Sequence, residues 1–184
     1  MDEILSFATW ETPLGKMQAI ASESGLCALE FMTPDRQQLL KARLKRWFPG
    51  EHRQSDCHSS TLAVAREWLD VYFAGDFARL PTISLDPRGT DFELGVWQEM
   101  RRLKVGTTIS YAALAAKVGN PNASRAVGNA SRRNPLALIV PCHRVIGSNG
   151  NLTGYGGGLT QKEWLIRHES TTTGRSRERE LVFG

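Results

Sequence analysis

The sequence predicts an α+β fold in two parts: an N-terminal antiparallel sheet with helices, then a mainly helical C-terminal part. Three observations carry this. Short apolar runs broken by Pro/Gly turns open the chain. Two segments of helical periodicity follow. A linker-like stretch at 81–90, containing proline and glycine, then precedes a second set of helical patterns. The reading divides the chain into 1–80, a linker at 81–90, a second domain at 91–169 and a flexible polar tail at 170–184.

Each element has a local reason. Leu5, Phe7 and Ala8 lead into the turn Thr12-Pro13-Leu14-Gly15. Met17 to Ala21 forms a second strand, closed by Glu23-Ser24-Gly25, and Leu26 to Phe31 a third, which together read as a three-stranded antiparallel meander. Thr33 can cap a helix with Pro34 at its first position, and Leu40, Leu44, Trp47 and Phe48 recur at helical spacing until Pro49-Gly50 stops it. The polar stretch 51–59 reads as a loop. A second helix runs from about Ser60 to Phe73, with Leu62, Leu69, Tyr72 and Phe73 as core, and Gly75 ends it. Phe92, Val96, Met100 and Leu103 mark the first helix of the second part.

A pair of short helices comes next. Ser110 caps a helix from Tyr111 to Val118, whose alanines allow close packing. Gly119-Asn120-Pro121 breaks the chain, and a second helix is expected from about Pro121 to Arg132. Ala126, Val127 and Ala130 give that helix a buried stripe, with Arg125, Asn129, Arg132 and Arg133 on the opposite face. Two short helices about a glycine turn resemble a helix-turn-helix. Ala123, Ser124 and Gly128 are small enough to let the backbone approach a partner closely, which suits the narrow minor groove of DNA. The plainer reading is a surface helical hairpin with solvated arginines.

Composition sets bounds. The chain has 184 residues, 41% hydrophobic and 23% charged, which is ordinary for a soluble globular protein. No apolar run approaches the roughly 20 residues that span a bilayer. Met1-Asp2-Glu3 offers no basic, apolar leader, so no secretory signal is expected. Cys27, Cys57 and Cys142 are widely separated, which argues against a disulfide framework and for a reducing cytoplasm. A net charge of +4 and a pI near 9.2 permit a nucleic-acid partner without identifying one.

The chemistry concentrates in Pro141-Cys142-His143-Arg144-Val145-Ile146-Gly147, where a thiol stands beside an imidazole behind the apolar run Leu136 to Val140. A free thiol has a pKa of about 8.5 and needs a base to act as a nucleophile at neutral pH. Adjacent side chains in an extended chain point to opposite faces, so the dipeptide alone does not make a catalytic pair.

The surrounding residues extend the pattern. Arg125-Ala126-Val127-Gly128-Asn129-Ala130, Asn134-Pro135, the Cys142 segment, Gly154-Tyr155-Gly156-Gly157-Gly158, Lys162-Glu163-Trp164-Leu165 and His168-Glu169 together resemble the O6-alkylguanine-DNA alkyltransferase family in order and spacing. The likeness is strong from about Phe92 to Glu169. It is weaker from Thr12 to Gly75, where the Thr12 turn and Tyr72-Phe73-Ala74-Gly75 fit. The resemblance implies a ribonuclease H-like N-terminal sheet domain and a helical C-terminal domain with a helix-turn-helix. It implies repair by irreversible, single-use transfer of an alkyl group from O6 of guanine, and less readily O4 of thymine, to the protein's own cysteine.

Roles follow by position. Cys142 matches the acceptor thiol. His143 matches a base acting through a bridging water, and Glu169 the carboxylate that orients it, although alone Glu169 reads as a surface residue at a helix end. Tyr111 matches a proton donor to N3 of the leaving guanine. Arg125 matches the finger that replaces a flipped nucleotide, and Ala123, Ser124, Gly128 and Tyr111 would face DNA. Asn134 matches a residue whose amide ties turns together. The carbonyls of Cys142 and Val145 would read the guanine amine, an N–H near Gly156 would contact O6, and Tyr155 and Ala137 would line the alkyl pocket. The implied partner is double-stranded DNA bound through the minor groove by a monomer, without membrane or cofactor.

Departures are informative. Ala137 stands where some members carry proline, which implies a roomier pocket. Ser22 and Cys27 stand where some members have zinc ligands. Cys57-His58 lacks a four-ligand complement, so no metal is expected. Glu93 replaces a glutamine found in many relatives, for which the sequence offers no reason. Two other readings compete: a multiple-turnover cysteine hydrolase using Cys142, His143 and Glu169, and a non-enzymatic protein that binds alkylated DNA.

Overall fold

The protein is described by a computed structural model covering residues 4–49, 53–55 and 59–182, with the backbone alone at 53–55 and 173–182. Cys57 and His58 lie outside the described residues. The chain forms two compact units, Met1–Gly89 with Pro135–Ala137, and Thr90–Asn134 with Leu138–Gly184.

In the first unit, β1 (Ile4–Trp10), β2 (Met17–Ala21) and β3 (Leu26–Phe31) form the antiparallel meander. The Thr12 turn closes the first hairpin through reciprocal backbone hydrogen bonds between Thr12 and Gly15. The register Phe7–Ile20–Ala28 puts these side chains on one face. There, with Leu5 and Cys27, they pack against Leu40, Leu44, Trp47 and Phe48 of the helical segment α1 (Pro34–Trp47) and its C-cap. Thr33 occupies the N-cap of α1, but its side chain makes no capping bond. On the same face β3 contributes Glu30, a buried carboxylate held by Arg36 Nε at 2.8 Å and Arg43 Nη1 at 3.0 Å, both from α1. Helix α2 (Ser60–Ala74) packs against all three strands and ends at Gly75, whose φ of 79° suits glycine.

The sheet departs from the sequence reading at both edges. Part of the stretch read as a loop, Arg53–Ser55, is a fourth strand, β4, parallel to β1, giving the order β3-β2-β1-β4. Nothing in Arg53-Gln54-Ser55 alternates apolar with polar, so backbone pairing alone defines the strand. At the other edge, β3 is bridged by Leu85 and by Leu136. Leu26 N–H donates to Ser84 O, and Asp86 N–H to Leu26 O. Residues read as a linker therefore run along the sheet, with Ile83 buried. Gly25 makes room for them, since a Cβ there would lie 2.7 Å from Ser84 O.

Ser22, Cys27, Asp86 and Arg88 form a cluster beneath this edge. The Ser22 hydroxyl donates to Asp86 Oδ2 at 2.8 Å and Arg88 Nη2 reaches the same oxygen at 3.1 Å. These residues do not fit a zinc ion: the carboxylate is engaged by a hydroxyl and a guanidinium, and burial pushes the Cys27 thiol up to about 11.

The second unit begins at Thr90, which caps α3 (Asp91–Arg101) in a capping box: Thr90 Oγ1 accepts from Glu93 N–H, and Glu93 Oε2 from Thr90 N–H. Trp97 Nε1 donates to Ala130 O at 2.9 Å, tying α3 to α5 (Ser124–Arg132). Between them lie β5 (Ile109–Ser110) and α4 (Tyr111–Lys117), where Ser110 Oγ accepts the Ala113 N–H. Strand β5 pairs in parallel with β6 (Val145–Ile146). The last helix is α6 (Leu159–Val182).

Three expectations change here. Helix α5 begins at Ser124 rather than Pro121, because Ala123 N–H donates to Asn120 O and closes a turn over Pro121 and Asn122. Ala126 is exposed, and its place in the buried stripe is taken by Ser131, whose hydroxyl is satisfied by Val127 O at 2.8 Å. The backbone of the segment read as a tail continues the helix to Val182. Among the described residues no helix is long and apolar enough to cross a membrane.

Candidate active site

Cys142 sits at the start of a short 3-10 turn, Cys142–Arg144, between Pro141 and β6. It is partly exposed, whereas His143 is fully buried and Arg144 nearly so. The turn thus leaves one side chain accessible and sends the next two inward. Asn134, just past α5, donates Nδ2 to Val140 O at 2.7 Å and to Cys142 Sγ at 3.3 Å. Its amide therefore reaches the thiol itself as well as the turn. Nearby Leu138, 1% exposed, holds a φ of 71°, a left-handed conformation that L side chains rarely adopt.

The inward side chains converge on Glu169. His143 Nε2 and Arg144 Nη2 lie 2.8 Å from Oε1; Arg144 Nε lies 2.8 Å and the Gly106 N–H 3.1 Å from Oε2. Glu169 is 1% exposed and in the body of α6, not at a surface helix end. Burial alone would raise its carboxyl. The hydrogen bonds and charges of His143 and Arg144 outweigh that and hold it well below the usual carboxylate range. An ionised carboxylate only accepts, so His143 must donate from Nε2, leaving Nδ1 as its lone-pair nitrogen. Nδ1 is buried with no hydrogen-bond partner. Burial, aided by Arg144 and Lys162 and opposed by Glu169, lowers the His143 pKa and favours the neutral ring. The result is an oriented neutral base one residue from the thiol.

Lys162, fully buried, has no role in the sequence reading. Its Nζ donates to Val145 O at 2.6 Å and Thr153 O at 2.8 Å, and lies 5.9 Å from the Tyr111 ring centroid. Burial brings its pKa down to about 8, while charge on Cys142 favours the ammonium. One signal could have found it: Lys162, Leu165 and Glu169 share the buried stripe of α6, and charged residues in a core stripe are rare unless paired. Arg144 stands in the sequence only as part of the motif around Cys142, and its clamp on Glu169 and on Leu103 O exists only in three dimensions.

The remaining candidates are distributed as follows. Tyr111 begins α4; its hydroxyl donates to Thr153 O at 3.2 Å, and burial raises its pKa. Its ring lies over Gly128, where a Cβ would be in ordinary contact at 3.8 Å. Arg125 is exposed on α5, with Ala123 and Ser124 half-buried at its start. Tyr155 meets His143 edge-on at 6.4 Å, and Gly156 is exposed in the following turn. The Val145 carbonyl accepts from Lys162 and that of Cys142 from Val145 N–H. Ala137 belongs to the first unit, its N–H bonded to Leu29 O.

Comparison with known proteins defines the class. Residues 5–87 match the ribonuclease-like domain of 6-O-methylguanine DNA methyltransferase, and residues 91–171 match its DNA-binding domain. The methylated-DNA–protein-cysteine methyltransferase of Salmonella typhimurium is 43% identical over 86% of this chain and 91% of its own length. That of Methanosarcina acetivorans is 39% identical over 90% and 98%. The Mycobacterium tuberculosis OGT solved in complex with DNA superposes with a TM-score of 0.73 at 34% identity, covering 91% of this chain and 94% of that one. This chain belongs to the methylated-DNA–protein-cysteine methyltransferase family.

Proposed function

We propose that this protein repairs DNA by direct reversal, transferring the alkyl group of O6-alkylguanine, and less readily of O4-alkylthymine, to Cys142 in a single irreversible event. The observation that carries the reading is the buried His143–Glu169 pair beside a partly exposed thiol, with His143 Nδ1 left open.

In the reaction, the Cys142 proton passes through a bridging water to His143 Nδ1, and Glu169 stabilises the imidazolium. The thiolate attacks the alkyl carbon in line. The S–C bond forms as the C–O6 bond breaks, and the departing guanine takes a proton at N3 from Tyr111. The thioether has no good leaving group, so the thiol is not regenerated. Because the alkyl carbon is inaccessible within the base stack, the nucleotide is flipped out and Arg125 takes its place. Ala123, Ser124 and Gly128 let α5 enter the minor groove, and Asn134 holds the thiol's turn. Val145, Tyr155 and Gly156 frame the base. The protein acts as a monomer in the cytoplasm without a resident metal.

The test is incubation with a duplex containing O6-methylguanine, followed by peptide mass mapping. The expected result is one methyl group per protein on the Cys142 peptide. Multiple turnover would point instead to a hydrolase, and unmodified protein with intact DNA binding to a non-enzymatic binder.

A further inference from the structure

Glu93 and Arg133 carry an arrangement that the reaction does not use. Glu93 is a buried carboxylate at the start of α3. Its Oε2 accepts from the backbone and hydroxyl of Thr90, at 2.9 and 3.2 Å, while its Oε1 receives Arg133 Nη1 at 3.1 Å. Burial works against the charge, but the bonds from Thr90 and Arg133 hold the carboxyl below its ordinary range. Arg133, at the C-cap of α5, keeps 66% of its side chain exposed. At 100° per residue, Arg125, Asn129, Arg132 and Arg133 fall on one side of α5, with Arg133 at its margin. Arg125 stands exposed at the other end.

We infer that Glu93 tethers Arg133 and withholds its charge from DNA, setting the strength of undamaged-duplex binding. The inference rests on α5 being the face that meets DNA. An Arg–carboxylate pair and an Arg–phosphate contact compete for the same guanidinium, and the buried partner is the fixed one. Weak binding to undamaged DNA suits a protein that must search many sites before using its thiol once.

Glu93→Gln isolates the charge, because glutamine also completes a capping box. Binding to an undamaged duplex is measured across a salt series for wild type, E93Q, R133A and E93Q/R133A, with thermal melts reporting folding. The expected result is that E93Q binds ~5-fold more tightly at about 0.1 M salt, with a log K against log salt slope steeper by about 0.9, one added phosphate contact. In the R133A background E93Q should change neither. An unchanged slope in E93Q, or the same steepening with and without Arg133, overturns the tether. If E93Q unfolds, R133A decides alone: a slope equal to wild type supports the tether and a shallower slope overturns it. Salt-independent binding by the wild type would instead remove the DNA-facing assignment of α5.

Discussion

Cys27 and Cys142 belong to different units and meet opposite surroundings. Cys27 is fully buried under the sheet edge, its sulfur 3.7 Å from the Asp86 carboxylate. Burial and that negative charge push its thiol up to about 11, with Ser22 opposing. Cys142 is partly exposed, receives an amide N–H from Asn134 and has the Lys162 ammonium in its field. Two of the buried glutamates, Glu30 and Glu169, differ in the same sense. Glu30 is held by two arginines and serves as a lock between α1 and the sheet. Glu169 is held by one arginine and one histidine, so the same kind of cluster steers a base. Each pair therefore differs by what surrounds the same side chain.

The largest expected effect breaks that comparison outright. Cys142→Ala should abolish alkyl transfer while DNA binding persists. Cys27→Ala should leave transfer intact at a stability cost of about 1 kcal/mol. Transfer surviving in the first variant, or lost in a folded second one, would reverse the assignment of the two thiols.

Glu169→Gln should slow transfer by about 10²-fold, the scale of an impaired general base. Its stability effect has a defined sign. A carboxyl held low in the folded state stabilises above its unfolded pKa of about 4.3, and that stability is lost as pH falls below it. The gap in urea midpoint between wild type and E169Q should therefore be wide at neutral pH and narrow in acid; a gap independent of pH would mean the carboxylate is not held as described.

Lys162→Met should lower transfer by roughly 10-fold, since hydrogen bonds from the ammonium to Val145 and Thr153 are worth a few kcal/mol. The folded lysine titrates near 8 and the unfolded one near 10.4. Between these values the unfolded chain binds the additional proton, so wild-type stability should rise with pH across the window. K162M should lose that rise in denaturation series spanning about pH 7 to 10. The smallest change expected is Ser22→Ala, which removes one hydrogen bond to Asp86 for about 1 kcal/mol and leaves transfer rates untouched. A slowed transfer would show that the first unit shapes the thiol's chemistry after all.

What could be read in the sequence follows from which forces are local. Strands β2 and β3 keep the bounds read from their apolar runs, because Gly15 fixes the turn before β2 and Gly25 the turn between β2 and β3. Ser110 announces α4 for the same reason, since a cap needs only its own next turn. Strand β4 was invisible because it is defined by pairing with β1 across a long separation. The seven-residue motif around Cys142 marks the candidate site. The Arg144 clamp, the Lys162 bridge to two backbone carbonyls and the Glu93–Arg133 tie each join groups separated in the chain, and of these only Lys162 leaves a periodic trace, in the buried stripe of α6.

Pro135–Ala137 has a consequence for how the protein is made. The Leu29 N–H donates to Pro135 O and the Ala137 N–H to Leu29 O, so three residues next to the acceptor segment finish the edge of the N-terminal sheet. A ribosome releases β3 long before it releases Ala137. During that interval the edge near Leu29 lacks its native backbone partner, the kind of open template on which neighbouring chains pair. Closing it requires one of the longest sequence separations in the fold, a slow step by the logic of contact order. The N-terminal unit therefore reaches its final form only after the chain has been synthesised nearly as far as its reactive cysteine.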